Sequence, residues 1–141
     1  MPDKDVVFAK AASIQKCLKR IKEVTELKPD SLDEVNKQDI FVLNLQRAVQ
    51  SAIDLAAHII ASEGLGVPDT IKDNFVRLEQ AGIINIDLSK KLQSMVGFRN
   101  IAIHNYQTIN VEILKTILVK HLKDLEDFYT AILVHFNIAK Q

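Results

Sequence analysis

An all-α fold, an up-and-down bundle of four to five helices, is what the sequence predicts, on three observations. Only four glycines and three prolines punctuate the 141 residues. Apolar residues between them recur at three- and four-residue spacing instead of alternating. The breaks between periodic segments are short, which suits neighbouring antiparallel helices. At this length one helical domain over residues 1–141 is expected.

The elements follow in order. A first helix spans about Val6 to Leu27, with Ala11, Ile14, Leu18 and Ile21 on one face and Lys16, Lys19, Arg20 and Lys22 pointing elsewhere. Lys28-Pro29-Asp30 ends it, because the residue before a proline is pushed out of the helical region. The acidic segment Ser31 to Asn36 reads as a single turn opened by Ser31, with Glu34 three residues on. A second helix runs from about Asp39 to Ser62 and stops at Gly64-Leu65-Gly66-Val67-Pro68. A third, from about Thr70 to Gln80, is stopped by Gly82, and Asp87 is the expected cap of a fourth that carries Leu88, Leu92 and Met95. Asn110 opens a last long helix to about Phe136, with Leu114, Leu118, Leu122, Leu125, Tyr129, Ile132 and Phe136 as its stripe.

Composition narrows the class of protein. Hydrophobic residues make up 48% and charged residues 26%, the balance of a globular protein. Eighteen basic residues match eighteen acidic ones, so any polyanion must be held locally and not by a general positive field. Cys17 is the only cysteine, which excludes an internal disulfide and reads as a packing residue. No long apolar run and no export-type N-terminus is present, so a cytoplasmic protein without a membrane partner is expected.

The second helix is unusual. From Ile40 to Ser62 it holds no Lys and no Glu, so most of its circumference should be buried. Yet Arg47, Ser51, Asp54 and His58 fall within an arc of about 60°, flanked by Asn44 and Gln50. This polar seam is either a narrow solvent strip with an Arg47/Asp54 ion pair, or the lining of a cleft or subunit interface; the missing Lys and Glu favour the lining. His121 and His135 read as structural or surface residues, and Asp124-Leu125-Glu126-Asp127 as a solvated face.

Arg99-Asn100-Ile101-Ala102-Ile103-His104-Asn105-Tyr106 is the one place where a permanent cation, an imidazole and a phenol crowd together in apolar sequence. Arg99 continues the stripe of Leu88, Leu92 and Met95, so it should point inward and need an anion. His104 lies roughly 140° further around the same helix. The two can meet at one phosphate only if the helix breaks near Asn100 to His104, or if they come from different copies of the chain. On spacing alone, an Arg with a His five residues on is commonly a surface cation and a core or interface imidazole. Together, however, they could cleave RNA, which carries its own nucleophile in the 2′-hydroxyl. Cleavage then needs a base, an acid and a cation for the phosphoryl oxygens. An imidazole can serve as base or acid near neutral pH, and Arg99 has the planar fork that suits phosphate. Asn100 could orient the imidazole and Tyr106 could stack on a base or bond a phosphate. One His cannot easily make both proton transfers, and a twofold pair of chains would supply two.

The pattern Arg-x4-His-x-Tyr, here Arg99, His104 and Tyr106, resembles the HEPN superfamily and in particular its HepT-type toxins. The second helix, Leu45-Gln46-Arg47-Ala48 through Ile53-Asp54-Leu55-Ala56-Ala57-His58-Ile59-Ile60, is similar to the corresponding helix of that family. The resemblance implies a metal-independent endoribonuclease without a cofactor, working on single-stranded RNA (mRNA or tRNA) as the toxin of a toxin–antitoxin pair. It further implies a homodimer with a composite cleft, and a cognate minimal nucleotidyltransferase antitoxin that places AMP on Tyr106. Arg99 and His104 would be catalytic, with Asn100, Tyr106, Asp54 and Arg47 in support. No Gly-rich phosphate loop, HExxH or His/carboxylate cluster at metal-ligand spacing is present. The competing reading is a non-catalytic helical module that binds and regulates a nucleotidyltransferase, or binds a nucleotide.

Overall fold

The computed structural model describes residues 1–138. The last part of the expected domain, residues 139–141, lies outside them. Among the described residues six α-helices follow one another: α1 (Lys4–Thr25), α2 (Val35–Glu63), α3 (Asp73–Gln80), α4 (Ile86–Asn105), α5 (Val111–Lys120) and α6 (Leu122–His135). Two 3₁₀ turns, Pro29–Asp33 and Tyr106–Thr108, precede α2 and α5. Among the described residues there is no strand, and no helix is long and apolar enough to cross a membrane.

The α1/α2 hairpin is the frame. Asp3 caps α1 through its side chain, and its own N–H donates to Nε2 of His58 near the far end of α2, so the two helices run antiparallel. Helix α1 stops at Thr25, before the proline, because Glu26 and Leu27 both take the left-handed conformation at φ 52° and 60°. Thr25 braces that strained corner: its hydroxyl donates to the Ile21 carbonyl and accepts from the Leu27 N–H. Gly64, at φ 65°, closes α2 while the Leu65 N–H reaches back to the Ile60 carbonyl.

The buried faces of α1 and α2 meet α4 and α6 over one continuous core that includes Ile14, Leu18, Phe41, Leu45, Leu55, Ile59, Leu92 and Phe128. Phe75 of α3 packs edge-on against Phe128 of α6, ring centroids 5.5 Å apart. Cys17 is buried, as a packing residue should be, and burial pushes its thiol above the ordinary value.

Several boundaries differ from the sequence expectation. Ser31 does not open a turn: the 3₁₀ turn starts at Pro29, and the Ser31 hydroxyl donates back to the Lys28 carbonyl. The cap of α4 is Asn85, whose Oδ1 accepts from the Leu88 N–H; Asp87 lies inside the first turn and pairs with Lys91. The expected last helix is two helices. His121 interrupts it at φ −119°, and its imidazole turns to the Asp124 carboxylate at 2.9 Å. Asp124 is buried, so that carboxylate is not part of a solvated face; Glu126 pairs with Lys22 of α1 and Asp127 faces outward. His135 is exposed at the end of α6, against Phe136.

Candidate functional site

The expected helix break between Asn100 and His104 does not occur. Helix α4 runs without interruption to Asn105, held through its last turns by Ala102, which is buried in the core. The chain leaves the helix at Asn105 (φ −155°, ψ 53°), one residue beyond His104, and enters the Tyr106–Thr108 turn. Within one chain, Arg99 and His104 therefore stay on different sides of the same helix, roughly 140° apart.

Arg99 is half-buried where α4 crosses α2. Its Nη2 donates to Oε1 of Gln50 at 2.5 Å and its Nη1 to Oδ1 of Asn100 at 2.9 Å, while Nε is buried and makes no hydrogen bond. Both partners are neutral amides. An inward-pointing guanidinium calls for an anion, yet among the described residues no carboxylate lies within ion-pair distance of Arg99. Asp54 stands one step back, taking the Gln50 Nε2 hydrogen at 2.8 Å on one oxygen and facing Lys10 Nζ at 3.3 Å with the other. Gln50 is thus held at both ends, its amide orientation fixed by a carboxylate on one side and a guanidinium on the other. Arg99 is aimed but its charge is not neutralised.

His104 is exposed on the last turn of α4, between the exposed Ile101 and Ile103 on one side and Asn105 on the other. The Tyr106 hydroxyl, in the following turn, donates to Oδ1 of Asp39 at 2.5 Å and lies 3.3 Å from Oε1 of Gln38. Burial, then the hydrogen bond and charge of Asp39, push this phenol well above the ordinary tyrosine value.

The polar seam of α2 has separate uses along its length. Ser51 is buried against the Ser13 hydroxyl at 2.8 Å, and His58 accepts from the backbone at the start of α1. No Arg47/Asp54 pair forms; Arg47 is exposed over a groove between α1 and α2. Gln50 stands out in the sequence only as a flank of the polar seam, and Lys10, Gln38 and Asp39 not as site residues at all. Each acts through a contact across tens of residues, which helical spacing does not encode. Among the described residues no group of three or more His, Cys, Asp or Glu side chains stands together as a metal site.

A family model for ribonuclease HepT-like proteins matches residues 14–132. The chain belongs to the HepT-like ribonuclease family. It is 39% identical over 128 residues to an mRNA nuclease HepT of Shewanella oneidensis, covering 91% of this chain and 96% of that one. A putative RNase of Archaeoglobus fulgidus is 31% identical over 91 residues, 60% of this chain and 68% of that one. Among solved structures, a toxin–antitoxin complex with AMP-PNP superposes with a TM-score of 0.88 at 38% identity, covering 92% of this chain and 98% of that one. The tri-AMPylated Shewanella oneidensis HEPN toxin bound to its MNT antitoxin gives 0.87 at 38% identity, with the same coverage. Helix α4, which carries Arg99 and His104, lies within the matched region.

Proposed function

We propose that this HepT-like chain is a metal-independent endoribonuclease, the toxin of a toxin–antitoxin pair, acting in the cytoplasm as a single domain that pairs with a second copy. The observation that carries the reading is Arg99: a half-buried guanidinium, aimed by Gln50 and Asn100, with no carboxylate within ion-pair distance among the described residues. Such a cation is ready for a phosphate. Because α4 continues past His104, the imidazole meeting a given Arg99 comes from the partner copy, across a composite cleft. The exposed Ile101 and Ile103 beside His104 are suited to covering by that copy.

In this mechanism one His104 takes the proton of the 2′-hydroxyl as its oxygen attacks the adjacent phosphorus. Arg99 holds the phosphoryl oxygens as charge builds on them, the bond to the 5′-oxygen breaks, and the second His104 gives that oxygen its proton. The products are a 2′,3′-cyclic phosphate and a free 5′-hydroxyl. The nucleophile belongs to the RNA and the proton carriers are imidazoles, so the scheme asks for no resident metal.

Tyr106 is the proposed switch. A cognate minimal nucleotidyltransferase would transfer AMP from ATP to its hydroxyl, placing bulk and negative charge two residues from His104. The AMPylated Shewanella oneidensis relative in complex with its MNT antitoxin supports this assignment. The direct test is cleavage of single-stranded RNA by the purified, unmodified protein in the presence of a chelator. A cyclic-phosphate end is expected from wild type and no product from His104→Ala; equal products from both would favour a non-catalytic module.

A further inference from the structure

The chain is electrically neutral, yet α1 is not. It carries Lys4, Lys10, Lys16, Lys19, Arg20 and Lys22 against Asp5 and Glu23 alone. Lys10 faces Asp54, Arg20 faces Glu23 at 3.8 Å and Lys22 reaches Glu126 on α6. Lys16 and Lys19 are exposed and have no ion-pair partner among the described residues, and neither does Arg47 on the facing side of α2. These three cations line an open groove of about 900 Å³ between α1 and α2. Its floor is polar, with the Ser13 and Ser51 hydroxyls bonded to each other, and its walls include Ile40 and Leu43.

The groove leads to the reactive segment. Gln50 lines it and, through the same side chain, holds Nη2 of Arg99. A strand with its scissile phosphate on Arg99 can therefore continue along Gln50 into the groove. Gathering unpaired cations beside the site is how a neutral protein holds a polyanion locally. No aromatic side chain lines the groove, so contact would be with the backbone and would tolerate many sequences.

We infer that the α1/α2 groove is a binding track for the sugar-phosphate backbone of single-stranded RNA beside the cleavage site, with Lys16, Lys19 and Arg47 as its phosphate contacts. The inference rests on the nuclease reading for the identity of its occupant, and it assigns Arg47 to substrate holding instead of support of Arg99.

Binding and cutting are tested separately. Fluorescence anisotropy would follow a labelled 15-nucleotide single-stranded RNA (a length of roughly one to a few single-strand site sizes) on the full chain in a His104→Ala background across a salt series. Replacing Lys16, Lys19 and Arg47 together with Gln is expected to weaken binding roughly tenfold or more. It should also make the dependence of log affinity on log salt shallower by about 2, since each single-strand phosphate contact contributes about 0.7. All three side chains are exposed, so circular dichroism should show an unchanged fold. Lys19→Glu alone is the second variant, with loss of affinity expected again. Unchanged affinity and slope in both variants would overturn the track, and loss of nucleotidyltransferase capture in those variants would then make the groove a protein interface. Wild-type cleavage reports on the nuclease reading by itself: weaker RNA binding by the variants supports the track even if the wild type cuts nothing.

Discussion

The hydroxyl of Tyr106 donates to Oδ1 of Asp39 at 2.5 Å, tying the turn after α4 to the beginning of α2. The residue proposed as the off switch is thus clamped, in the unmodified chain, to a carboxylate 67 positions earlier in the sequence.

That clamp fixes a pH dependence. Burial and Asp39 raise the Tyr106 phenol above its unfolded value of about 10. A raised value favours the protonated folded state, so the stability from this pair is complete below pH about 10 and is lost as pH rises through the folded value. In a Tyr129→Phe background Tyr106 is the only tyrosine. Its tyrosinate absorbance should appear at higher pH than in a free phenol, and Asp39→Asn should move it down. Ionisation at the ordinary tyrosine value would contradict the contact.

Adenylylation should break the same clamp. The modified oxygen can no longer donate, and the new phosphodiester brings a negative charge to the Asp39 carboxylate. Hydrogen exchange of the backbone from Asn105 to Ile109 should therefore quicken on modification. Asp39→Asn, which removes the repulsion, should reduce that increase. Equal exchange before and after AMP transfer would mean that the ring keeps its place.

Gln50 aims Arg99, and its substitution should separate positioning from packing. Gln50→Leu is expected to lower kcat/KM for RNA roughly tenfold, about 1.4 kcal/mol of transition-state stabilisation. Gln50→Glu puts an anion on the guanidinium, in competition with the substrate phosphate. Its cost should fall mainly on KM, measured by steady-state cleavage across RNA concentrations. An unchanged kcat/KM in Gln50→Glu would argue against a phosphate-binding Arg99.

His121 carries a structural burden. It bonds one oxygen of the buried Asp124, whose other oxygen has no hydrogen-bond partner. Removing the imidazole leaves a buried carboxylate unpaired, so His121→Ala should cost about 1–3 kcal/mol in urea unfolding. His121→Ala with Asp124→Ala should recover part of that loss. An unaltered midpoint in the single variant would remove the pair from the account of the α5/α6 corner.

How much of this was legible in the sequence depends on the range of the interaction. Helices and their inward faces were readable because burial repeats at the helical period: Ile14, Leu18 and Ile21 of α1 and Leu88, Leu92 and Met95 of α4 are all buried. The α5/α6 corner was hidden because Leu114, Leu118, Leu122 and Leu125 keep that period straight through it. Only the pairing of His121 with Asp124 marks the bend. Arg99, His104 and Tyr106 stood out as chemistry, but their partners did not. Gln50 lies 49 residues from Arg99, and Asp39 was read only as a helix start. The break placed before His104 answered a geometric demand of the chemistry; nothing in Ile101-Ala102-Ile103 stops a helix, and the buried Ala102 holds it.

Arg99 of one copy and His104 of another are proposed to meet at one phosphate. The most direct measurement is complementation: Arg99→Ala and His104→Ala chains, each inactive alone, are mixed under conditions that exchange subunits, and RNA cleavage is followed. A mixed dimer keeps one Arg99 on one copy and one His104 on the other, and these two can still meet; with one imidazole left and water taking the second proton transfer, recovery of a small but measurable fraction of the wild-type rate is expected, above that of either variant alone. No recovery in dimers shown by mass to be mixed would contradict it.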